Sequence, residues 1–267
     1  RLPGKSMMDL AGAPLIGRLF ERVKRCKRVD QIVLATTLKE EDDVIQKVGS
    51  DYGLTGFRGS ENDLVDRYHA AASKFNAEVI VRIPGDNPAP EPTEIDDVIN
   101  YHIEGGYDFS SNYPDVIDNG YPDGIGAEVY DVGALNEVWS ISKDPRNREH
   151  PHTNFYEHPE KFRLGIMMCR PEIRRPDMII DVNTRDQYDF VLAMYEYLYP
   201  RNPQFTIIDI IDWYDNHLEK ETWYNSANLF FKSTALYILA FFLLVISWMS
   251  KPIIIRKISF GCLLFGL

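Results

Sequence analysis

Asp86 is the first residue whose position in the sequence suggests chemistry. It follows the apolar, β-branched run at 79–83, which breaks abruptly at Pro84 and Gly85. In an open α/β sheet, ligands collect at the carboxyl ends of buried strands. A carboxylate there can hold a divalent cation against phosphate oxygens, because Mg2+ favours one or two carboxylates completed by substrate oxygens. The alternative is that Asp86 and Asn87 only form the turn.

A second carboxylate, Asp181, ends the apolar run that begins at Met178. If both runs are parallel strands, Asp86 and Asp181 lie at one edge of the sheet and can share a metal beside a nucleoside triphosphate. The first loop adds two basic residues, Arg1 and Lys5, whose charge suits the phosphates. This set of residue types predicts a metal and nucleotide site at the end of the sheet.

The elements that would position these residues indicate an α/β fold with a mostly parallel, doubly wound sheet, because predicted strands alternate with predicted helices. The loop at 113–126 is rich in Pro, Gly and Asp and is typical of a loop that lines a site. The predicted strands are 31–37, 55–58, 79–83, 109–112, 127–130 and 162–168, and the predicted helices are 14–25, 40–48, 64–74, 94–102, 133–142, 153–156, 186–197 and 207–216.

Composition narrows the class of function. The chain has 267 residues, 45% of them hydrophobic, which is enough for a sizeable core. A formal net charge of −11 argues against general nucleic-acid binding, which needs a basic face, but leaves a nucleotide substrate open. Three widely spaced cysteines form no metal-binding motif and favour a reducing compartment.

Four short motifs resemble the cytidylyltransferase family, and the resemblance runs from Arg1 to about His217. The family includes proteins of the spore coat polysaccharide type SpsF and the enzymes that activate acylneuraminate and 3-deoxy-manno-octulosonate with CTP. The motifs are Arg-Leu-Pro-Gly-Lys at 1–5, Phe-Arg-Gly-Ser-Glu at 57–61, Val-Arg-Ile-Pro-Gly-Asp at 81–86 and Arg-Glu-His at 148–150.

The resemblance implies a Rossmann-like nucleotidyltransferase domain that transfers CMP from CTP to a sugar, with release of pyrophosphate, in surface polysaccharide biosynthesis. It also implies Mg2+ as cofactor and a CTP-binding, sugar-binding site. The implied roles are triphosphate binding and catalysis for Arg1 and Lys5, metal binding for Asp86 and Asp181, nucleotide binding for Arg58, Ser60, Asp63, Arg67 and Arg82, and sugar binding for Glu128, Arg148, Glu149 and His150.

Three departures from the family pattern affect these expectations. The family opens with a strand and a glutamine-containing loop before Arg-Leu-Pro-Gly-Lys, so the sheet is expected to lack its first strand. Relatives read Val-Asp-Thr where this chain has Asn183 between Val182 and Thr184. This leaves open whether Asp181 or Asn183 takes the second metal position, since residues two apart on a strand share a face. An Asp common in the sugar-facing loop of the family is replaced near Gly126, which leaves the identity of the sugar open.

Composition changes after the predicted domain at 1–219 and a linker at 220–232. The tail at 233–267 opens with an uncharged, mostly apolar run of about 18 residues, the lower end of the range that spans a bilayer. We therefore predict a C-terminal hydrophobic helix, a transmembrane segment through which a cytoplasmic catalytic domain would contact a membrane. Basic residues follow the apolar run, and such residues are expected on the cytoplasmic side of a membrane. A single span would therefore place the catalytic domain on the opposite side. A homodimer is a further predicted partner.

Two other functions compete with the transferase. A glycosyltransferase that uses a nucleotide sugar would fit the same kind of sheet, but that class relies on an Asp-x-Asp metal motif, which the sequence does not contain. A non-catalytic nucleotide-binding domain tethered to a membrane would fit the expected loss of the first strand and the presence of Asn183. Binding of CTP without turnover would distinguish it from the transferase.

Overall fold

The computed structural model describes residues 2–114 and 118–217 of the chain. Its strands are β1 (Val33–Thr37), β2 (Thr55–Gly59), β3 (Val79–Arg82), β4 (Phe109–Ser111), β5 (Glu128–Asp131) and β6 (Leu164–Ile166). Its helices are α1 (Leu15–Val23), α2 (Asp43–Asp51), α3 (Leu64–Phe75), α4 (Pro92–Gly105), α5 (Val132–Ile141), α6 (Pro145–Glu149), α7 (Pro151–Glu157) and α8 (Arg185–Leu198), and the described residues 207–217 are helical and are called α9. Short 3-10 helices lie at Lys5–Met7, Glu40–Asp42 and Pro171–Ile173.

The expected α/β fold is confirmed, but the sheet is mixed rather than mostly parallel. β1 and β2 pair in parallel as one sheet, and a second sheet has the strand order β3-β5-β4-β6. Within it, β5 lies antiparallel to both β3 and β4, and only β4 and β6 are parallel. The reason is the connection from β4 to β5, a loop that returns the chain directly without a crossover helix. An apolar run in the sequence does not specify strand direction, so this reversal was missed.

One edge of β1 and one edge of β3 lie beside helix α1. Among the described residues, β1 pairs only with β2 and β3 pairs only with β5, so one edge of each strand faces no partner strand. Helix α1 packs across these edges, since Ile16, Leu19 and Phe20 form one apolar cluster with Leu34 of β1 and Ile83 after β3. The absence of the first strand stays a prediction.

The apolar run that ends at Asp181 is not a strand, which corrects the expectation. Residues 178–182 are extended and alternate in burial, with Met178 and Ile180 buried and Ile179 49% exposed. Their only ladder contact among the described residues is a bridge between Asp123 and Ile179. Apart from a turn at its own start, the segment forms backbone hydrogen bonds only to isolated loop residues, Asp123 and Asp86, among the bonds between described residues. Its buried side chains pack against α8 and α9 in the largest apolar cluster.

The chain divides into two units, Arg1–Tyr214 and Asp215–Leu267. Only residues 215–217 of the second unit are described, so the predicted linker at 220–232 and the hydrophobic tail at 233–267 lie outside the described residues. Within the described part of the chain, no helix combines the length and apolar character needed to cross a bilayer. The tail's role in a membrane stays untested.

A buried ion pair fastens α1 to the segments that precede α4 and α9. The guanidinium of Arg22 donates to Glu91 Oε2 at 3.1 Å, to the Pro90 carbonyl at 2.8 Å and to the Phe205 carbonyl at 3.0 Å. Glu91 Oε2 also accepts from the backbone amide of Ile207 at 2.8 Å. Since both side chains are buried, each depends on the other for compensation of its charge.

We expect Arg22→Ala to lower the free energy of unfolding by about 3 to 5 kcal/mol, because Glu91 would remain buried without its counter-charge. The measurement is equilibrium urea unfolding at neutral pH. Lys47→Ala is the matched control, since Lys47 pairs with Asp51 on the exposed face of α2 and should cost no more than about 0.5 kcal/mol. Equal losses in the two variants would show that the Arg22 pair does not fasten the fold.

Candidate active site

Lys5, Asp86 and Asn183 converge at the end of β3. The Lys5 ammonium donates to Asp86 Oδ2 and to Asn183 Oδ1, at 2.8 Å in each case. Lys5 opens a 3-10 helix whose preceding residue, Gly4, has a φ of 69°, a conformation that glycine adopts without strain. The side chains of Lys5 and Asp86 are 19% and 28% exposed, so this site is accessible to a ligand.

Asp181 joins the same cluster through Asn183. The side-chain amide of Asn183 donates to Asp181 Oδ2, and Gln187 Nε2 donates to Asp181 Oδ1 at 3.3 Å. Gln187 also closes the capping box of α8, because its Oε1 accepts from the backbone amides of Asn183 at 2.8 Å and Thr184 at 2.9 Å. The start of α8 therefore sets the position of both Asp181 and Asn183.

Backbone hydrogen bonds join the three segments that carry this cluster. The Leu2 amide donates to the Asn183 carbonyl at 3.0 Å, and the Val182 amide donates to the Asp86 carbonyl at 2.9 Å. Arg1 precedes Leu2 but lies outside the described residues. The sequence prediction that Lys5, Asp86 and the 181–183 segment lie together thus agrees with the geometry.

The oxygens of this cluster suit a hard cation. The positive charge of Lys5 lies at equal distance from a carboxylate oxygen of Asp86 and an amide oxygen of Asn183, with the carboxylate of Asp181 adjacent through Asn183. Among the described residues, no group of three His, Cys, Asp or Glu side chains is placed to hold a metal ion alone. A divalent cation here would need substrate oxygens to complete its ligands, which is the usual arrangement for Mg2+.

A second charged network surrounds Glu128, the first residue of β5. Arg82, the last residue of β3, lies opposite Glu128 in the sheet and donates from Nη1 to Glu128 Oε2 at 2.8 Å. The hydroxyl of Tyr130 donates to the same oxygen, and His152 Nδ1 lies 3.0 Å from Glu128 Oε1. Arg82 Nε reaches the hydroxyl of Tyr68 at 3.2 Å. Glu128 is 3% exposed, so two hydrogen bonds and the close Nδ1 of His152 converge on one buried carboxylate.

This network fixes the ionisation of its members. Burial by itself would raise the pKa of Glu128, but the charge of Arg82 and the proximity of His152 lower that pKa to about 2. Burial by itself would lower the pKa of Arg82, and Glu128 reverses this and raises the pKa well above its ordinary value. Burial and the neighbouring carboxylate likewise raise the pKa of the Tyr130 hydroxyl. At neutral pH the site therefore holds an ionised Glu128–Arg82 pair beside a protonated tyrosine.

Three of the predicted nucleotide-binding residues lie in or beside the loops that follow β1 and β2: Arg58 in β2, Ser60 in the loop after it, and Arg67 in α3. Arg58 donates to the carbonyls of Thr37 and Lys39 and to Asp43 Oδ1 at 2.5 Å. Arg67 donates to the carbonyl of Ser60 at 2.6 Å and to that of Glu61 at 2.8 Å. These arginines hold the two loops in shape, and the partly buried Ser60 lies in the second.

Asp63 and Arg148 form an ion pair that joins three helices. Asp63 caps the start of α3 by accepting from the Asp66 amide at 2.8 Å, and its other oxygen accepts from Arg148 Nε. Arg148 also donates to the carbonyls of Trp139 and Ser142 at 3.1 Å, at the end of α5. The side chains of Glu149 and His150, which follow Arg148, are exposed.

Several residues of both networks were not assigned from the sequence. His152, Tyr130 and Tyr68 reach the Glu128–Arg82 pair only through the fold, and no spacing in the sequence links them. Gln187 had a visible signal, since Thr184 and Gln187 are spaced as a capping box. The glycine at position 126 also has a structural explanation. A Cβ atom there would lie only 2.4 Å from Asn112 Oδ1, and this buried oxygen is held in place by a hydrogen bond from the Ala127 amide at 2.7 Å.

Acid should remove the stabilisation that Glu128 provides. Because the folded-state pKa of about 2 lies below the ordinary value of 4.5, this contribution is complete above about pH 4.5 and is lost as the pH falls toward 2. We expect Glu128→Gln to be about 3 to 5 kcal/mol less stable than wild type near pH 6, and the difference to shrink by roughly 1 to 2 kcal/mol near pH 3.5.

Urea unfolding at the two pH values measures this change. Glu137→Gln, in an exposed pair with Lys161, is the control and should differ little from wild type at either pH. A stability difference for Glu128→Gln that stays constant between the two pH values would contradict a depressed pKa.

Comparison with known proteins places this geometry in a family. Residues 1–222 match the family described as cytidylyltransferase. The chain is 30% identical over 201 residues to the spore coat polysaccharide biosynthesis protein SpsF of Bacillus subtilis, covering 73% of this chain and 81% of that protein. It is 35% identical over 100 residues to a 3-deoxy-manno-octulosonate cytidylyltransferase of Geobacter sulfurreducens, covering 37% of this chain and 39% of that enzyme.

A solved structure shows the same fold over most of the chain. The structure of a cytidylyltransferase from Leptospira borgpetersenii aligns with a TM-score of 0.74 and 25% identity, over 82% of this chain and 90% of that one. Since the family match covers well over half of the sequence, this protein belongs to the cytidylyltransferase family and is a nucleotidyltransferase enzyme.

Proposed function

We propose that this protein transfers CMP from CTP to a sugar and releases pyrophosphate. The observation that supports this most directly is the convergence of Lys5, Asp86 and Asn183, with Asp181 behind them, at the end of β3. An ammonium among hard oxygens is suited to a triphosphate and its counter-ion. The names of the relatives, which refer to polysaccharide biosynthesis and to a sugar acid, support the sugar as acceptor.

Lys5 and Arg1 would bind the phosphates of CTP in this proposal. Asp86 and the 181–183 segment would hold Mg2+, with Asp181 as the second carboxylate and Asn183 contributing its amide oxygen. When bound, the metal supplies positive charge that neutralises the phosphate oxygens. Lys5 already lies between Asp86 and Asn183, so it must turn toward the phosphates when a cation takes its place.

The reaction forms one bond and breaks one bond at the α-phosphorus of CTP. A hydroxyl oxygen of the sugar attacks that phosphorus, the bond to the β-phosphate oxygen breaks, and pyrophosphate leaves with the bonding electrons. The hydroxyl proton passes to a base or to water. Because little covalent chemistry falls to the protein, its contribution is to hold the two substrates in line and to stabilise charge on the phosphates.

The remaining predicted site residues divide into those that can contact a substrate and those that would act through others. Ser60, Glu149 and His150 remain candidates for direct contact, the first with the nucleotide and the others with the sugar. The arginines at 58, 67 and 148 and the carboxylate of Asp63 are engaged with loops and helix ends, so we propose that they shape the site. Arg82 and Glu128 occupy each other, so we assign them positioning roles.

The biological setting is part of the proposal. We propose surface polysaccharide biosynthesis as the pathway, with a cytoplasmic catalytic domain because CTP is available there. Contact with a membrane through residues 233–267 and assembly into a homodimer stay predictions. The structure adds no observation that favours the glycosyltransferase, and binding of CTP without turnover would favour the tethered binding domain.

Asp86→Ala should reduce CTP-dependent pyrophosphate release by at least about a hundredfold, since it removes charge stabilisation at the phosphates. The assay combines the full chain, Mg2+ and CTP, ATP, GTP or UTP with a panel of acidic and amino sugars that includes 3-deoxy-manno-octulosonate. Asp189→Ala, which removes an exposed carboxylate paired with Arg185 on α8, should retain wild-type activity. Release by wild type with ATP in preference to CTP would contradict the proposal.

Lys5→Met should raise the affinity of the nucleotide-free protein for Mn2+ about tenfold, which corresponds to about 1.4 kcal/mol. The substitution removes the ammonium that competes with a cation for Asp86 and Asn183. Electron paramagnetic resonance of free Mn2+ measures the affinity without any turnover. Lys161→Met, from an exposed pair with Glu137, is the control and should leave the affinity unchanged. Unchanged affinity in Lys5→Met would place the cation elsewhere.

A further inference from the structure

His152 presents a fixed ring nitrogen to the buried carboxylate of Glu128. Glu128 Oε2 already accepts from Arg82 and Tyr130, and its other oxygen, Oε1, faces His152 Nδ1 at 3.0 Å. Nδ1 is itself buried and, among the described residues, no group satisfies hydrogen-bond geometry with it, so its close contact with the Glu128 carboxylate is electrostatic. Glu128 is the charged group nearest to this nitrogen and favours the orientation in which Nδ1 faces it.

The ionised carboxylate also determines which nitrogen carries the proton. Its oxygens can only accept, so the nitrogen that faces Glu128 must be Nδ1–H. In the neutral imidazole, Nε2 then has a free lone pair and acts as a hydrogen-bond acceptor. The side chain of His152 is 16% exposed although Nδ1 is buried, so the accessible part of the residue lies away from Glu128.

His152 lies at the same edge of the sheet as the Lys5–Asp86 cluster. Glu128 begins β5 and is opposite both Arg82 at the end of β3 and Ser111 at the end of β4. Asp86 follows Arg82 by four residues, so their Cα atoms are at most about 14 Å apart. Through its contact with Glu128, His152 therefore lies on the side of the sheet where a sugar acceptor bound beside the nucleotide would be placed.

We propose that His152 binds the sugar acceptor, with Nε2 accepting a hydrogen bond from one of its hydroxyl groups and Glu128 acting as the positioning residue. The inference rests on the proposed function, since it requires a sugar acceptor. It differs from the role expected of His150, whose side chain is exposed and whose ring centre lies 5.9 Å from that of His152. Recognition of the acceptor would thus depend on a buried carboxylate that never contacts it.

Steady-state kinetics with CTP and the sugar that the panel identifies will test this inference. We expect His152→Ala to raise the KM for the sugar about tenfold, the effect of one lost hydrogen bond, and to leave the KM for CTP unchanged. His152→Gln should recover part of the loss, because its amide oxygen can accept a hydrogen bond near the position of Nε2. A purely structural role would not separate the two KM values.

His158→Ala is the matched control, since His158 also faces a glutamate, Glu160 at 3.2 Å, but on the exposed surface after α7. It should retain both wild-type KM values. Wild-type KM for the sugar in His152→Ala, or an equal rise in both KM values, would overturn the inference while leaving the proposed function intact. If His152→Ala does not fold, the same comparison is made with His152→Leu, whose side chain fills more of the space and cannot accept a hydrogen bond. Absence of release by wild type with every sugar would instead overturn the proposed function and this inference with it.

Discussion

The contact of Lys5 with Asp86 and Asn183 is the interaction on which the active site depends. It joins the first loop, the turn after β3 and the segment before α8, which are 81 and 178 residues from Lys5 in sequence. Two carboxylates and an amide so close together would repel a further anion, and the ammonium offsets one of the two negative charges. The proposed triphosphate site requires that these three segments stay in register.

The fold keeps them in register through backbone hydrogen bonds and a helix cap rather than through a continuous sheet. Val182 bonds to Asp86, Leu2 bonds to Asn183, and the capping box of α8 fixes the 181–183 segment. The buried pair of Arg22 and Glu91 holds α1 against the start of α4 and the segment before α9. A site on the ends of rigid elements can be precise even where the strands themselves are short.

The second network shows how a buried charge can specify an orientation. Glu128 is tolerated in the interior because Arg82, Tyr130 and His152 surround it, and its pKa falls to about 2 as a result. Removing any one partner would leave a buried group uncompensated, which is costly. The same geometry that makes the network stable also aligns His152 with the edge of the sheet where Asp86 lies.

Much of this arrangement could be predicted from the sequence, and the remainder has physical reasons. The run at 79–83 and its turn indicated that Asp86 follows the end of a strand, as it does after β3, whereas the contact of Lys5 with Asp86 emerges only from the fold. The direction of β5 was missed because alternation in a strand does not encode its direction, and 178–182 alternates like a strand while bonding only to loops. Arg58, Arg67 and Arg148 bind backbone carbonyls, which have no signature in a sequence, so their partners could not be foreseen.

The measurement that tests the central claim most directly follows the α-phosphorus of CTP. Full-length protein is incubated with Mg2+, the sugar acceptor and CTP that carries 32P at the α-position, and in parallel with CTP labelled at the γ-position. The account predicts that the α-label appears in a sugar nucleotide and that the γ-label appears in pyrophosphate. Transfer of the γ-label to the sugar, or retention of both labels in unreacted CTP that remains bound to the protein, would contradict it.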